Sequence, residues 1–239
     1  MRSNYVTAII VAAGNSSRMG GNISKQFISL NEKTVIEHTL TAFENCSLID
    51  EIVVVAREQD IEKINSLVKK NSFTKVSHIA VGGNTRGESV ANGINASSDI
   101  SDKTHFFAIH DGARPLVLIK DIENVIKKAF EVKSATLGVM VKDTIKITDD
   151  KNIVVSTPNR ADLRSIQTPQ IFEKGLYISA LNKAKSEGKD FTDDCQLVEN
   201  FGKAVEVVIG SESNIKLTTP IDVIMAESIL KAREQGEEI

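Results

Sequence analysis

Read from its N-terminus, the chain alternates short apolar runs with segments of helical period. "VTAIIVAA" is a continuous apolar run, the signature of a strand buried on both faces. "TVIEHTLTAF" follows with helical spacing, and Thr34 to Glu37 has the T-x-x-E form of a capping box. "EIVVVA" predicts a second strand, "DIEKINSLVKK" a helix, and "KVSHIAV" a third, weaker strand. "VANGINAS" is helical, and "THFFAIHDGARP" is a strand that runs into a loop. In "KDIENVIKKAFE", Ile122, Val125, Ile126 and Ala129 share one helical face.

The pattern then changes. "ATLGVMVKDTIKITDDKNIVVSTPNR" holds strand-like segments divided by the polar turn "DDKN", with no helix between them. That predicts a hairpin or arm at about residues 138–163. "KGLYISALNKAKSEG" and "DDCQLVENFG" read as helices and "KAVEVVIG" as a late strand, and Pro220 opens a last helix through "DVIMAESILKA". Strands alternating with helices predict an α/β fold: a Rossmann-like, mostly parallel twisted sheet flanked by helices, with a protruding β arm. No linker, low-complexity tract or repeat divides the chain, so residues 1–239 are expected to form one domain.

Composition narrows the partners. The chain has 239 residues, 41% of them hydrophobic, with a net charge of -3. That balance does not favour nucleic acid, and the apolar run at Ala8–Ala13 is too short for a membrane span or signal core. Cys46 and Cys195 are too few for a disulfide framework and suit a reducing compartment, so a cytoplasmic protein is expected.

Chemistry collects in loops that follow strands, the places where open α/β sheets bind ligands. Gly14 to Lys25 begins with a glycine, continues with the short polar residues Asn15, Ser16 and Ser17, and carries Arg18 and Lys25. Free backbone N–H groups with an arginine and a lysine suit a triphosphate. The loop has neither the Walker lysine nor the G-x-G-x-x-G fingerprint, and taken alone it fits an ordinary turn equally well. "GGNTRGES" (Gly82–Ser89) permits close backbone approach, with Arg86 and Ser89 as base or ribose donors and Thr85 as a helix cap. "HDGARP" delivers Asp111 past a buried strand, the place for a carboxylate that meets a ribose or a metal, with Arg114 beside it. "KDTIK", Arg160 and "QTPQ" lie in and after the arm, and Lys216 follows the last strand. The histidines lack metal-ligand spacing, and no nucleophile elbow is present. Cations, backbone amides and one carboxylate suit phosphate transfer by positioning and electrostatics.

Together "AAGNSSRMGGNISKQF", "GGNTRGES", "HDGARP", "VKDTIK", "NRADLRSIQTPQIF", "TDD" and "NIKLTTPID" resemble the 2-C-methyl-D-erythritol 4-phosphate cytidylyltransferases, in order and spacing, from about Ala8 to Leu230. The resemblance implies an enzyme of the non-mevalonate isoprenoid route. It would join CTP to methylerythritol phosphate, release pyrophosphate, and use Mg²⁺ or another divalent cation. It implies catalytic roles for Arg18 and Lys25, and for Arg160 and Lys216, which also position the polyol phosphate. Ala12, Ala13, Gly14, Asn15, Gly83, Ser89, Asp111 and Gly112 would hold the nucleotide, with Asp111 meeting the metal mainly through the CTP phosphates. Arg114, Thr144, Thr168 and Thr192 would complete the substrate site. A homodimer joined through the β arms is implied, each arm completing the partner's pocket, with no nucleic acid or membrane involved. The chain ends soon after its last helix, so a monofunctional protein is expected rather than a fusion to a cyclase. A ribitol 5-phosphate cytidylyltransferase is the nearest alternative, and a non-catalytic CTP-sensing module is the alternative of another class.

Overall fold

A computed structural model of the chain describes residues 4–14, 24–98 and 103–237. In chain order, β1 is Tyr5–Val11, β2 Ser29–Leu30, β3 Lys33–Thr34, α1 Val35–Asn45, β4 Glu51–Ala56 and α2 Ile61–Lys70. Then come β5 at Val76–Val81, α3 at Arg86–Ser98, β6 at Thr104–Asp111, α4 at Ile119–Val132 and β7 at Ser134–Met140. The arm carries β8, Ile147–Thr148, and β9, Val154–Ser156, followed by β10 at Arg164–Glu173. Helix α5 spans Lys174–Glu187, α6 Asp194–Asn200, β11 Glu206–Ile209 and α7 Pro220–Glu234.

Seven strands form one sheet in the order β11-β7-β10-β6-β1-β4-β5. Its pairings are parallel except those of β10, which runs antiparallel to both β6 and β7. The mostly parallel α/β architecture is the one the sequence pattern predicts. Strand β10 is not foreseen: "QTPQ" reads as a loop, yet it is the middle of a sheet strand. Pro169 has no N–H for the ladder, and the pairing with β7 breaks between Ile166 and Gln170 before resuming.

Alternate residues of each central strand enter opposite layers. Val6, Ala8 and Ile10 of β1 pack with Ile36, Leu40 and Phe43 of α1, Ile64 of α2, and Ile122, Val125, Ile126 and Ala129 of α4. Ile9, between them, packs on the other face with Val90 and Ile94 of α3, Tyr177 and Ala180 of α5, and Leu197 and Val198 of α6. Gly93 lets α3 press onto this face: a Cβ there would lie 2.6 Å from Val55 Cγ2 and 2.7 Å from Ile9 Cγ2. The expected local signals form. Thr34 and Glu37 make a reciprocal capping box, Thr85 Oγ1 accepts from the Glu88 N–H at 3.1 Å, and Pro220 starts α7. Cys46 and Cys195 are both free and buried. Among the described residues no helix is long and apolar enough to cross a membrane.

The chain leaves β1 towards β4 and β5, then returns to place β6 on the other side of β1. This reversal makes a topological switch point, and the crevice beyond the carboxyl ends of β1 and β6 is where such sheets receive ligands.

Candidate active site

A cleft of about 480 Å³ occupies that crevice. Its walls come from the carboxyl ends of four parallel strands: Val11, Ala13 and Gly14 after β1, Arg57 and Glu58 after β4, Gly82 to Arg86 after β5, and Asp111 and Ala113 at the end of β6. Lys25, Gln26, Ser89 and Lys216 complete it. Backbone bonds hold the loop roots together: Ala12 N–H donates to Val55 at 2.7 Å, Gly82 N–H to Ala56 at 2.8 Å, and Gly112 N–H to Val11 at 2.9 Å. Gly82 is required for this closeness, because a Cβ there would stand 2.3 Å from Ala13 Cβ. Ser89 shapes the same loop. Its hydroxyl donates to Thr85 O at 2.9 Å and accepts the Gly83 N–H at 3.1 Å. The loop leads into the N-terminus of α3, where Glu88 Oε2 accepts the Asn84 N–H at 2.6 Å and Thr85 Oγ1 caps the first turn.

Asp111 is the electrostatic centre of the cleft wall. Its Oδ2 lies 2.8 Å from Lys216 Nζ and 3.7 Å from Arg114 Nε, and its Oδ1 lies 3.4 Å from Arg86 Nε. Burial alone would push this carboxyl up, but Lys216, Arg86 and Arg114 together hold it well below the usual carboxylate range. It is therefore ionised at neutral pH. The Lys216 loop is brought across by a lattice of hydrogen bonds. Leu217 N–H donates to Ala113 O at 2.8 Å, Arg114 Nη1 to Asn214 O at 2.8 Å, and the Asn214 side-chain amide to Gln167 Oε1 at 3.2 Å and Thr168 O at 3.0 Å.

Behind Asp111, Thr168 Oγ1 accepts the Asp111 N–H at 3.1 Å and meets His110 Nδ1 at 3.0 Å. His110 Nε2 faces Arg114 O at 3.2 Å. Complete burial pushes the His110 imidazole down to about 3, so it is a neutral hydrogen-bonding strand-end residue.

Of the residues named from sequence, Ala13, Gly14, Lys25, Gly83, Ser89, Asp111 and Lys216 line this one cleft. Ala12 and Gly112 are buried at its base, and Arg114 reaches it through Asp111. Arg18 and Asn15 lie outside the described residues. Thr168 is buried with its hydroxyl directed at Asp111 and His110. Thr192 is exposed, its hydroxyl on Gln196 Oε1 at 3.0 Å at the start of α6. Thr144 and Arg160 are exposed on the arm, with Arg160 Nη1 donating to Lys142 O at 2.9 Å.

Arg86, expected as a base or ribose donor, lines the cleft and is also held from behind, its Nη1 2.6 Å from Asp194 Oδ2. Asp194 belongs to the "TDD" motif, but the sequence gives it no role of its own beyond a helix start. Asp193 does cap α6, accepting from Gln196 N–H, whereas Asp194 turns inward. Gln26 is also unanticipated: it is buried in the cleft wall beside the anticipated Lys25.

Comparison with known proteins gives the chain's family. The profile of the family described as 2-C-methyl-D-erythritol 4-phosphate cytidylyltransferase (IspD) matches residues 6–232. A 2-C-methyl-D-erythritol 4-phosphate cytidylyltransferase of Clostridium botulinum (strain 657 / Type Ba4) is 44% identical over 225 residues, covering 94% of this chain and 97% of that protein. One from Desulforamulus reducens is 41% identical over 229 residues, covering 95% and 97%. Among solved structures, the 4-diphosphocytidyl-2C-methyl-D-erythritol synthase of Anaerococcus prevotii superposes with a TM-score of 0.84 at 33% identity, covering 96% of this chain and 100% of that one. Matched along nearly its whole length in sequence and in fold, the chain belongs to the 2-C-methyl-D-erythritol 4-phosphate cytidylyltransferase family.

Proposed function

We propose that this chain transfers the cytidylyl group of CTP to 2-C-methyl-D-erythritol 4-phosphate. A phosphate oxygen of the polyol attacks the α-phosphorus of CTP in line, a new P–O–P bridge forms, the bond from the α-phosphorus to the bridging oxygen breaks, and pyrophosphate leaves with that oxygen. The attacking oxygen is already anionic, so no general base is required. The barrier is the approach of several negative charges, which preorganised cations and N–H groups lower.

The observation that carries this reading is the convergence of Lys25, the Gly82–Ser89 loop, Asp111 and Lys216 on one cleft at the sheet's switch point. In this reading the loops after β1 and β5 hold base, ribose and phosphates, and Lys25 with Arg18 faces the charge that develops at the α-phosphorus. Lys216 and the partner's Arg160 and Thr144 receive the polyol phosphate, while Arg114 and Thr168 hold the site in shape, with Thr192 at its margin. One buried, ionised carboxylate fits a Mg²⁺ ion that takes its remaining ligands from phosphates and water. Asp111 would help hold that ion, which supplies neutralisation of phosphate charge.

The arm supports a homodimer. Ile147 is 52% exposed, Ile153 61% and Val155 66%, an apolar surface on a projecting hairpin that asks for a partner. The two buried, unpaired cysteines support a cytoplasmic setting. Pyrophosphate release from CTP, with and without methylerythritol phosphate, tests the reaction. Release only when both are present supports it. Tight CTP binding without release would make the chain a sensor.

A further inference from the structure

We propose that Arg86 is a positioning residue for the nucleotide: Asp194 holds its guanidinium back from the Asp111 carboxylate, which keeps Asp111 open to the nucleotide and so sets affinity for CTP. The inference rests on the reading of Asp111 as a nucleotide-site residue.

Arg86 stands at the first turn of α3 and bridges two carboxylates. Nη1 is 2.6 Å from Asp194 Oδ2, while Nε is 3.4 Å from Asp111 Oδ1. The contacts are unequal, and the strong one faces away from the cleft. Asp194 is itself held from two other directions: Tyr177 Oη donates to its Oδ1 at 2.6 Å, and its own N–H donates to Gln170 Oε1 at 3.1 Å. Tyr177 is fully buried, and burial with the adjacent Asp194 charge raises its phenol well above the usual value, so it stays a donor. Asp194 and Tyr177 line a second, open pocket of about 410 Å³ between α3, α5 and α6, and neither lines the nucleotide cleft. Arg86 lines both spaces.

The asymmetry has a chemical consequence. Asp111 has two oxygens, one facing the half-exposed Lys216 and one facing the largely buried Arg86. A ligand hydroxyl or ion that engages Asp111 must displace or share one of these contacts. With Arg86 held by Asp194, its contact with Asp111 is long and yields easily. Without the Asp194 charge, Asp111 becomes the strongest partner within Arg86's reach. The guanidinium then closes on Asp111 and competes with the nucleotide.

Steady-state kinetics on the full chain distinguish this from a purely structural role. Arg86→Lys keeps the charge but cannot span both carboxylates. Asp194→Asn removes the anchor's charge, and Tyr177→Phe loosens Asp194 without changing any charge. KM for CTP is expected to rise on the order of tenfold in the first two, about 1.4 kcal/mol. It should rise less in Tyr177→Phe, with KM for the polyol phosphate unchanged in all three. The sign is diagnostic. Deleting a negative charge near the cleft would by simple attraction lower KM for an anionic nucleotide, so an unchanged or lowered KM in Asp194→Asn overturns the proposal. A reduced apparent kcat with both KM values unchanged across the set overturns it as well, since that is what loss of folded protein alone produces. Should Arg86→Lys and Asp194→Asn fail to fold, Tyr177→Phe decides by the same split. Asp111→Asn separates the two readings. If it leaves KM for CTP unchanged, the nucleotide role of Asp111 fails and this inference with it. If it raises that KM and the other variants do not, this inference alone fails.

Discussion

Lys216 Nζ lies 2.8 Å from Asp111 Oδ2, so the loop after β11 and the carboxyl end of β6 meet at one ion pair on the cleft wall. The pair is asymmetric, since the Lys216 side chain is 38% exposed and that of Asp111 11%. Lys216 can therefore swing to an arriving phosphate while Asp111 stays in place. Lys216→Met is expected to lower kcat/KM for the polyol phosphate about 10–100-fold, the scale of one charged hydrogen bond. A half-exposed pair contributes at most about 1 kcal/mol to folding, so the melting midpoint should move little. Kinetics with each substrate varied in turn check this, and an undiminished kcat/KM for the polyol phosphate removes Lys216 from that role.

Lys25 leads a short helical turn whose next residue, Gln26, is buried, so the backbone that carries the lysine is held at the cleft. In the proposed reaction its ammonium faces the charge that grows in the transition state. Lys25→Ala should cost about 3–4 kcal/mol in kcat, by comparison with single preorganised donors elsewhere. Near-normal turnover at saturating CTP would contradict the assignment.

His110 gives the pH dependence a definite sign. Its folded value is pushed down to about 3 by burial, against an ordinary 6.5. Between those values the unfolded chain binds a proton that the folded chain refuses, so stability falls as pH drops through this window. The slope is up to about 1.4 kcal/mol per pH unit, and the contribution is complete above the ordinary histidine range. Asp111, held low, acts in the same direction at more acid pH. Nuclear magnetic resonance of the His110 ring should show no titration from about pH 8 to about pH 5. A midpoint near the ordinary histidine value would show that the ring is not buried as described.

The arm should be separable from the body. Val155→Asp places a charge on the most exposed large apolar side chain of the hairpin, at 66% exposure. The variant should keep its melting transition and lose dimerisation, read by sedimentation, together with use of the polyol phosphate. Arg160→Ala should impair the same substrate while leaving the dimer intact. A fully active Val155→Asp monomer would exclude completion of the site by a partner's arm.

The fold was legible wherever local and global signals agree. Strands β1 and β4 read as buried because both faces are covered, and α1 announced itself through the Thr34–Glu37 box. Strand β10 was not legible. It carries Gln167, Thr168 and Gln170 inward as buried polar residues and has Pro169 in its middle, so neither hydrophobic alternation nor propensity marks it. Its polar interior meets the two carboxylate residues instead: Thr168 Oγ1 accepts the Asp111 N–H, and Gln170 Oε1 accepts that of Asp194. Gly14, Gly83, Asp111 and Lys216 were legible because each follows a strand at a glycine or a charge, whereas Gln26 of the same cleft carries no such signal. The Arg86–Asp194 pair was not, since nothing in the sequence says which carboxylate a distant arginine will meet.

The most direct test of the account is a side-by-side assay of pyrophosphate release from CTP with methylerythritol phosphate and with ribitol 5-phosphate. The account predicts rapid release with the methylerythritol ester and a far lower kcat/KM with the ribitol ester. Release with ribitol 5-phosphate alone, or with neither, would contradict it.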